Sequence, residues 1–322
     1  MKAIRVHEHG DAAVLTYEEI PTPEPGPAEV LIEIEAAGVN FVDIYHCKGL
    51  YDASLPLTLG VEGAGEVAAV GKGVKDFRPG DSVAYAMQQG SYAEFAIVPE
   101  SQVVHVPENV EPEEAAAVML QGLTAHYLSH STYAAGHDDV ALVHAAAGGV
   151  GGLLVQMLKL RGARVIGTCS TQEKAERARQ AGADDIIRYT EVDFEEAVHR
   201  LTEGNGVHVV YDGVGQATFR KGLNCLCRRG YMVLYGQASG PVEPLDPQVL
   251  NRKGSLFLTR PTLGDYIATR DELERRTSDL FAWMADGELK VSIDRAFPLE
   301  EAAAAHRYVE GRKTQGKVLL LP

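Results

Sequence analysis

Residues 140 to 159 read VALVHAAAGGVGGLLVQMLK, and this stretch limits what the chain can fold into more than any other. Val140 to His144 form a short apolar run of the kind a buried strand requires. A turn of small residues follows, Ala145 to Gly152, after which Leu153, Leu154, Met157, Leu158 and Leu160 recur at helical spacing. Strand, glycine turn and helix in that order make a phosphate-binding element. The missing Cβ atoms let backbone N–H groups approach a pyrophosphate, and the helix N-terminus adds partial positive charge. The dinucleotide fingerprint G-x-G-x-x-G is met at Gly148 and Gly151, while Ala146 stands at its first position. Ala147, Gly148, Gly149, Val150 and Gly151 are therefore the candidate contacts. A tight turn in an ordinary α/β unit is the competing reading.

The rhythm of the chain changes around this element. Up to about residue 122 it is β-rich. Val30 to Ala36 alternates cleanly, and Glu62 to Val70, Ser82 to Met87 and Tyr92 to Val98 are further short strands. Pro21 to Pro27, Gly71-Lys72-Gly73, Pro79-Gly80-Asp81 and Gln89-Gly90 supply the turns. Such a pattern predicts a curved, partly closed antiparallel barrel. Glu111 to Tyr127 reads as a helix.

From Val140 onward apolar strands alternate with helices. Strands are expected at Arg164 to Thr168, Asp185 to Ile187, Val207 to Asp212, Gly230 to Tyr235 and Ser255 to Thr259. Helices are expected at Gly152 to Leu160, Gln172 to Gln180, Phe194 to Leu201 and Gln216 to Leu226. That is βαβ repetition, hence a doubly wound parallel sheet of the Rossmann type. Asp271 to Gly287 and Leu299 to Gly311 read as helices, and Lys317 to Leu321 as a final strand returning to the first domain. The fold class is thus α/β: a Rossmann-type sheet plus a β-rich, partly closed barrel. The expected domains are 1–123 with 261–322, and 124–260.

Composition excludes several functions. The formal net charge of -15 opposes nucleic-acid binding. No apolar run approaches the roughly 20 residues of a membrane span. The opening MKAIRVHEHGD has no signal-peptide core, so the expected location is cytoplasmic. Four cysteines do not make a disulfide framework in 322 residues, and Cys225-x-Cys227 is too tight for zinc and reads as packing on a helix. His7-x-His9 reads as a surface loop.

The cofactor follows from what ends the second strand. An NAD site places an acidic residue about 20 residues past the glycine turn, on the ribose hydroxyls. Here the strand runs Arg164 to Cys169 into Ser170 and Thr171, with Lys174 close behind and no Asp or Glu at its end. A carboxylate would repel a 2′-phosphate, whereas hydroxyls and an ammonium hold one. NADPH is the expected cofactor. The plain alternative has Ser170 capping the next helix and Lys174 in solvent. Tyr189, after the third strand, is placed to stack or bond near the adenosine end, or simply to pack.

These segments together resemble the medium-chain dehydrogenase/reductase superfamily, and within it the zinc-independent, zeta-crystallin-like NADPH:quinone oxidoreductases. The resemblance rests on Ala37-Gly38-Val39-Asn40-Phe41-Val42-Asp43, Leu59 to Gly65, Gly80-Asp81-Ser82-Val83, Gly122-Leu123-Thr124-Ala125, Gly148-Gly149-Val150-Gly151, Val210 to Gly215, Arg260-Pro261-Thr262 and Gly311 to Lys317. It covers essentially the whole chain and implies that the barrel-like domain is GroES-like and catalytic. The zinc alcohol dehydrogenases of the sister branch carry a Cys ligand where Asn40 stands and a His ligand where Val61 stands, and no four-cysteine loop is present here. An amide and a valine do not replace a thiolate and an imidazole, so no metal is expected.

The resemblance implies roles for further residues. It places Asn40, Tyr45 and Tyr51 near the nicotinamide and the substrate opening. Asn40 would bond the substrate oxygen or the cofactor; Tyr45 would donate to a developing oxyanion or line the pocket; Tyr51 would form an aromatic wall. Thr124 would contact the nicotinamide side, and Tyr235 and Gly236 would lie along the cofactor. Phe257 and Leu258 would border the nicotinamide or a subunit contact, and Arg312 would reach the phosphate end. Ser255 to Thr259 is expected as an edge strand pairing with its copy in a homodimer.

The implied activity is hydride transfer to a quinone. Such an acceptor is electron-poor, needs no Lewis acid, and leaves the protein the tasks of positioning and modest polarisation. The alternatives are a 2-alkenal or enone reductase on the same scaffold, and a low-turnover NADPH-binding protein with a crystallin-like or RNA-binding role.

Overall fold

The computed structural model describes residues 1–311 and 313–322. The chain divides into two compact units. The first comprises Met1–Leu123, Ile267–Gly287 and Val291–Pro322; the second comprises Thr124–Tyr266 and Glu288–Lys290.

The amino-terminal elements are β1 (Lys2–Val6), β2 (Leu15–Glu19), β3 (Glu29–Val39), α1 (Phe41–Cys47), β4 (Leu57–Thr58), β5 (Glu62–Val70), β6 (Ser82–Ala86), β7 (Phe95–Pro99), β8 (Val103–His105) and α2 (Pro112–Tyr127). The middle of the chain supplies β9 (Val140–Val143), α3 (Gly149–Leu160), β10 (Arg164–Cys169), α4 (Gln172–Gln180), β11 (Asp185–Arg188), α5 (Phe194–Leu201), β12 (Val207–Asp212), α6 (Phe219–Cys225), β13 (Leu226–Leu234), α7 (Gln248–Arg252), β14 (Phe257–Thr259) and α8 (Leu263–Tyr266). The carboxy-terminal elements are α9 (Arg270–Ala285), β15 (Ile293–Pro298), α10 (Ala302–Glu310) and β16 (Lys317–Leu321).

In the first unit β3 is the organising strand. It pairs antiparallel with β5, β7 and β16. The sheet order is β15-β16-β3-β5-β6-β8, and a smaller sheet runs β2-β1-β4. Two register shifts between β3 and β5, at Leu31/Ile32 and Ile34/Ala36, bend the sheet toward closure. Alternate residues of β3 point inward, so Val30, Ile32 and Ile34 meet Val67, Val83, Val98 and Leu320 in one core. The carboxy-terminal strand returns to this sheet as expected, and β15 joins it parallel to β16. β1, β2, β15 and α1 carry weaker patterning and stand beyond the elements expected from periodicity.

The second unit contains a six-stranded sheet ordered β11-β10-β9-β12-β13-β14, every pair parallel. With β9 as the first strand this is the 3-2-1-4-5-6 Rossmann order, and the strand order reverses between β9 and β12. Leu142, Ile166, Val210 and Met232 form the core with Phe194, Val198, Phe219 and Leu223 from the helices.

Two local expectations are corrected. Helix α3 begins at Gly149, not Gly152, because a glycine at a helix start leaves the backbone free to turn early. Cys225 and Cys227 do not share a helix: Cys225 ends α6 and Cys227 lies in β13. All four thiols are free. Among the described residues no helix is long and apolar enough to cross a membrane.

Candidate active site

The second unit gathers one set of the expected residues at the carboxyl ends of its strands. After β9 the chain turns at Ala145, whose φ of 53° is left-handed, and α3 starts with Gly148 as its N-cap. The first N–H groups of a helix have no acceptor within it, and Gly148 brings no side chain to satisfy them. The two fingerprint glycines do different work. A Cβ on Gly151 would overlap the Ala145 carbonyl and backbone, so this glycine lets α3 pack on the turn. A Cβ on Gly148 would meet only the Ala145 oxygen, at 3.2 Å, so nothing else within the protein demands a glycine there. That side of the turn is open to close approach from outside, as a pyrophosphate would need.

At the end of β10 the structure corrects one detail. Thr171, not Ser170, caps α4, its hydroxyl accepting the Lys174 backbone N–H at 3.3 Å. Ser170 precedes the cap, and its carbonyl accepts the Thr190 hydroxyl at 2.8 Å. The Tyr189 N–H bonds the Cys169 carbonyl at 3.2 Å. These bonds tie the loops after β10 and β11 together, which puts Ser170, Lys174 and Tyr189 on neighbouring strand ends. Tyr189 is 46% exposed.

The next strand ends are also organised. The buried Asp212 carboxylate accepts the Val214 and Gly215 N–H groups at 2.8 and 3.0 Å, as well as the Thr218 hydroxyl. Beside it Tyr235 lies against Gly213, and a Cβ on Gly236 would overlap the Gly213 carbonyl. Glycines at both positions let the β12 and β13 ends approach closely. Burial, then Asp212, push the Tyr235 phenol above its ordinary range, so it stays protonated. Thr124 is buried in α2. Leu258 stands on the edge strand β14. Arg312 lies outside the described residues.

His144, given no role from sequence, is buried at the end of β9, with Nδ1 3.0 Å from the Thr168 hydroxyl. Burial lowers its pKa, Asp212 opposing, which favours the neutral ring. An apolar run that ends in histidine was the available signal.

The first unit assembles the other set. Asn40 is the N-cap of α1, which carries Tyr45 on its next turn. The Tyr45 and Tyr51 rings meet edge to face at 5.6 Å, and Phe41 stands 6.1 Å from Tyr45. Asn40 does not use its side chain to cap. The Asp43 carboxylate accepts the Asn40 backbone N–H at 2.8 Å. The Asn40 amide turns instead toward two charged residues that sequence reasoning passed over. Its Nδ2 donates to Glu62 Oε1 at 2.8 Å and to the Gly38 carbonyl at 3.3 Å, while its Oδ1 accepts from Lys317 Nζ at 2.9 Å. Lys317 and Glu62 form a direct ion pair at 1% and 0% side-chain exposure. The signal for it was a lysine opening the apolar KVLLL strand and a glutamate between Val61 and Gly63.

The network continues inward. Tyr92 donates its hydroxyl to Asp43 at 3.0 Å and stands 3.3 Å from His306 Nε2. Burial raises the Asp43 pKa, against its hydrogen bonds and Lys317. Burial likewise draws the Lys317 ammonium down, with Asp43 opposing. The Glu62 carboxylate, in direct contact with Lys317, opposes that shift, since opposite buried charges compensate each other.

These donors do not fit zinc. The Asn40 oxygen already faces an ammonium, Val61 offers no donor atom, and among the described residues no three His, Cys, Asp or Glu side chains are grouped to hold an ion.

Comparison with known proteins agrees with this architecture. The sequence model described as "Alcohol dehydrogenase GroES-like domain" matches residues 26–108, and that described as "Zinc-binding dehydrogenase" matches residues 149–281. Together they define a GroES-like domain joined to a Rossmann domain, the make-up of medium-chain dehydrogenases/reductases. A quinone oxidoreductase of Pseudomonas aeruginosa is 44% identical over 100% of this chain and 99% of its own. A 2-haloacrylate reductase of a Burkholderia species is 41% identical over 98% of both. The crystal structure of Escherichia coli quinone oxidoreductase complexed with NADPH superposes with a TM-score of 0.98 at 43% identity, covering all of both chains. The chain belongs to the quinone oxidoreductase family, the zinc-independent, zeta-crystallin-like branch of that superfamily.

Proposed function

We propose that this enzyme reduces quinones with NADPH, without a metal. The carrying observation is the pairing of an uncapped glycine-rich helix start at Gly148 with Ser170 and Lys174 where an acidic residue would select NAD. The Escherichia coli relative crystallised with NADPH supports the same choice. When bound, the nicotinamide supplies the hydride. The chain's residues bind and orient. Ala147 and the Gly148-Gly149-Val150-Gly151 backbone take the pyrophosphate; Ser170 and Lys174 take the 2′-phosphate, Tyr189 stacks or bonds near the adenosine end, and Arg312 reaches the phosphate end. Tyr235, Gly236, Thr124 and Leu258 lie along the cofactor. Asn40 meets the nicotinamide or the substrate, Tyr51 walls the pocket, and Tyr45 lines it or donates to the oxygen that gains charge. A hydroquinone anion is stable enough to take its proton from water, so no buried acid is required.

The 2-haloacrylate reductase relative favours a second reading, reduction of a C=C bond conjugated to a carbonyl group. Steady-state rates with 1,4-benzoquinone, 9,10-phenanthrenequinone and a 2-alkenal separate the two. Quinone turnover at least tenfold above the alkenal supports the first; the reverse order supports the second. Absence of turnover with all three, alongside tight NADPH binding, would point to a binding protein.

A cytoplasmic homodimer that does not bind nucleic acid completes the proposal. Its support is the edge position of β14, where Phe257 is 49% exposed yet stacked on Tyr231 at 4.4 Å, a rigid apolar rim open to a second copy. The charge of -15 argues against RNA.

A further inference from the structure

The hydrogen-bonding capacity of Asn40 is closed on one side only. A carboxamide offers two N–H donors and an oxygen with two lone pairs. Both donors are used inside the protein, on Glu62 and Gly38. Lys317 takes one lone pair of Oδ1, which leaves a single acceptor site. The opposite orientation would set an NH₂ group against an ammonium and an oxygen against a carboxylate, so the two charges dictate which edge faces where.

The charges are themselves held. The second oxygen of Glu62 accepts the Leu120 N–H of α2 at 2.6 Å. Gly38 supplies the room, since a Cβ there would overlap both the Glu62 carboxylate and the Lys317 side chain. A buried ion pair is seldom more stabilising than apolar side chains of similar volume. Its use here fits a role in orientation rather than in stability.

We infer that Glu62 and Lys317 are positioning residues that turn the donor edge of Asn40 into the protein, so that Asn40 serves its ligand only as an acceptor and its partner is an N–H group. This rests on the reading that Asn40 lies at the nicotinamide and the substrate. A quinone oxygen is an acceptor and cannot use the remaining lone pair. The carboxamide of the nicotinamide carries N–H groups and can. Of the two partners open to Asn40, the cofactor is the one its geometry fits.

The test compares binding of NADPH with its 3-acetylpyridine analogue, which has a methyl ketone in place of the carboxamide and so no N–H to give. Dissociation constants are read from fluorescence titration, and the quantity of interest is their ratio. The wild-type protein should favour NADPH about three- to tenfold, the range of one hydrogen bond. Asn40→Ala should bring the ratio near one. The double variant Glu62→Gln with Lys317→Met should do the same while removing both members of the ion pair together, because glutamine donates or accepts and no longer dictates the amide's orientation; Asp43, which loses Lys317, is left to its hydrogen bonds from Asn40 and Tyr92. Gly38→Ala, which keeps both charges but displaces them, should lower the ratio and serves if the double variant does not fold.

An unchanged ratio in Asn40→Ala would remove Asn40 from the nicotinamide and end the inference with it. A ratio lost in Asn40→Ala but kept in the double variant, or in Gly38→Ala, would leave Asn40 in place and overturn the positioning role. No preference in the wild type would overturn the acceptor role.

Discussion

Lys174→Glu is the sharpest single-residue test of cofactor choice. The substitution sets a carboxylate where a 2′-phosphate would lie, so NADPH affinity should fall at least tenfold while NADH affinity changes little. Titration with both cofactors checks it, and equal losses would take Lys174 away from the phosphate. His306 tests the buried network instead. Burial, with Lys48 adding, draws its pKa from 6.5 to about 4. The unfolded chain therefore binds more protons than the folded one between those values. The His306 contribution is complete above about pH 6.5 and is lost as the pH falls toward 4, by up to roughly 3 kcal/mol. Asp43, raised by burial, has the opposite slope over much of that window. The informative quantity is thus the difference between the wild type and His306→Gln in urea midpoints at pH 7 and pH 5. The wild type should lose more stability than the variant on acidification; parallel losses would mean that His306 titrates normally.

At the scale of elements, the turn into α3 separates ligand approach from packing. Gly148→Val adds a Cβ that would meet only the Ala145 oxygen, at 3.2 Å, and stands at φ -79°, a conformation open to any residue. It should melt near the wild-type temperature and lose nucleotide binding. Gly151→Ala forces a methyl group onto the Ala145 backbone and should cost roughly 1–3 kcal/mol of stability. Thermal melts and NADPH titration of the two variants should give opposite patterns. Sequence alone treats both glycines alike, since the fingerprint records spacing and not which side of the turn each one faces. Helices α4 and α5 were legible to the residue because each pairs an acidic first turn with a basic last turn. The short helix α1 was not, because its seven residues mix Phe41, Val42 and Tyr45 without a clear apolar stripe.

At the scale of the whole molecule, the apolar rim of β14 carries the assembly prediction. Phe257→Asp should convert a dimer to a monomer in light scattering after gel filtration, with the fold retained, because the ring is half exposed within one chain. A monomeric wild type would remove the proposal. The carboxy-terminal strand has a second consequence at this scale. It brings Lys317 beside Asn40, 277 residues earlier. No local pattern predicts that meeting.

What the residues determined unaided is what depends on short-range order: the strand–turn–helix at Val140, the βαβ rhythm after it, the alternation in β3, and the missing carboxylate after β10. Each is a periodicity or a spacing within about 30 residues, where chain geometry alone relates neighbours. Tertiary structure decided which glycine packs and which stands open, which hydroxyl caps α4, and that a buried ammonium and carboxylate hold the Asn40 amide. Those outcomes depend on which distant strands share an edge, and so on closing long loops around one core.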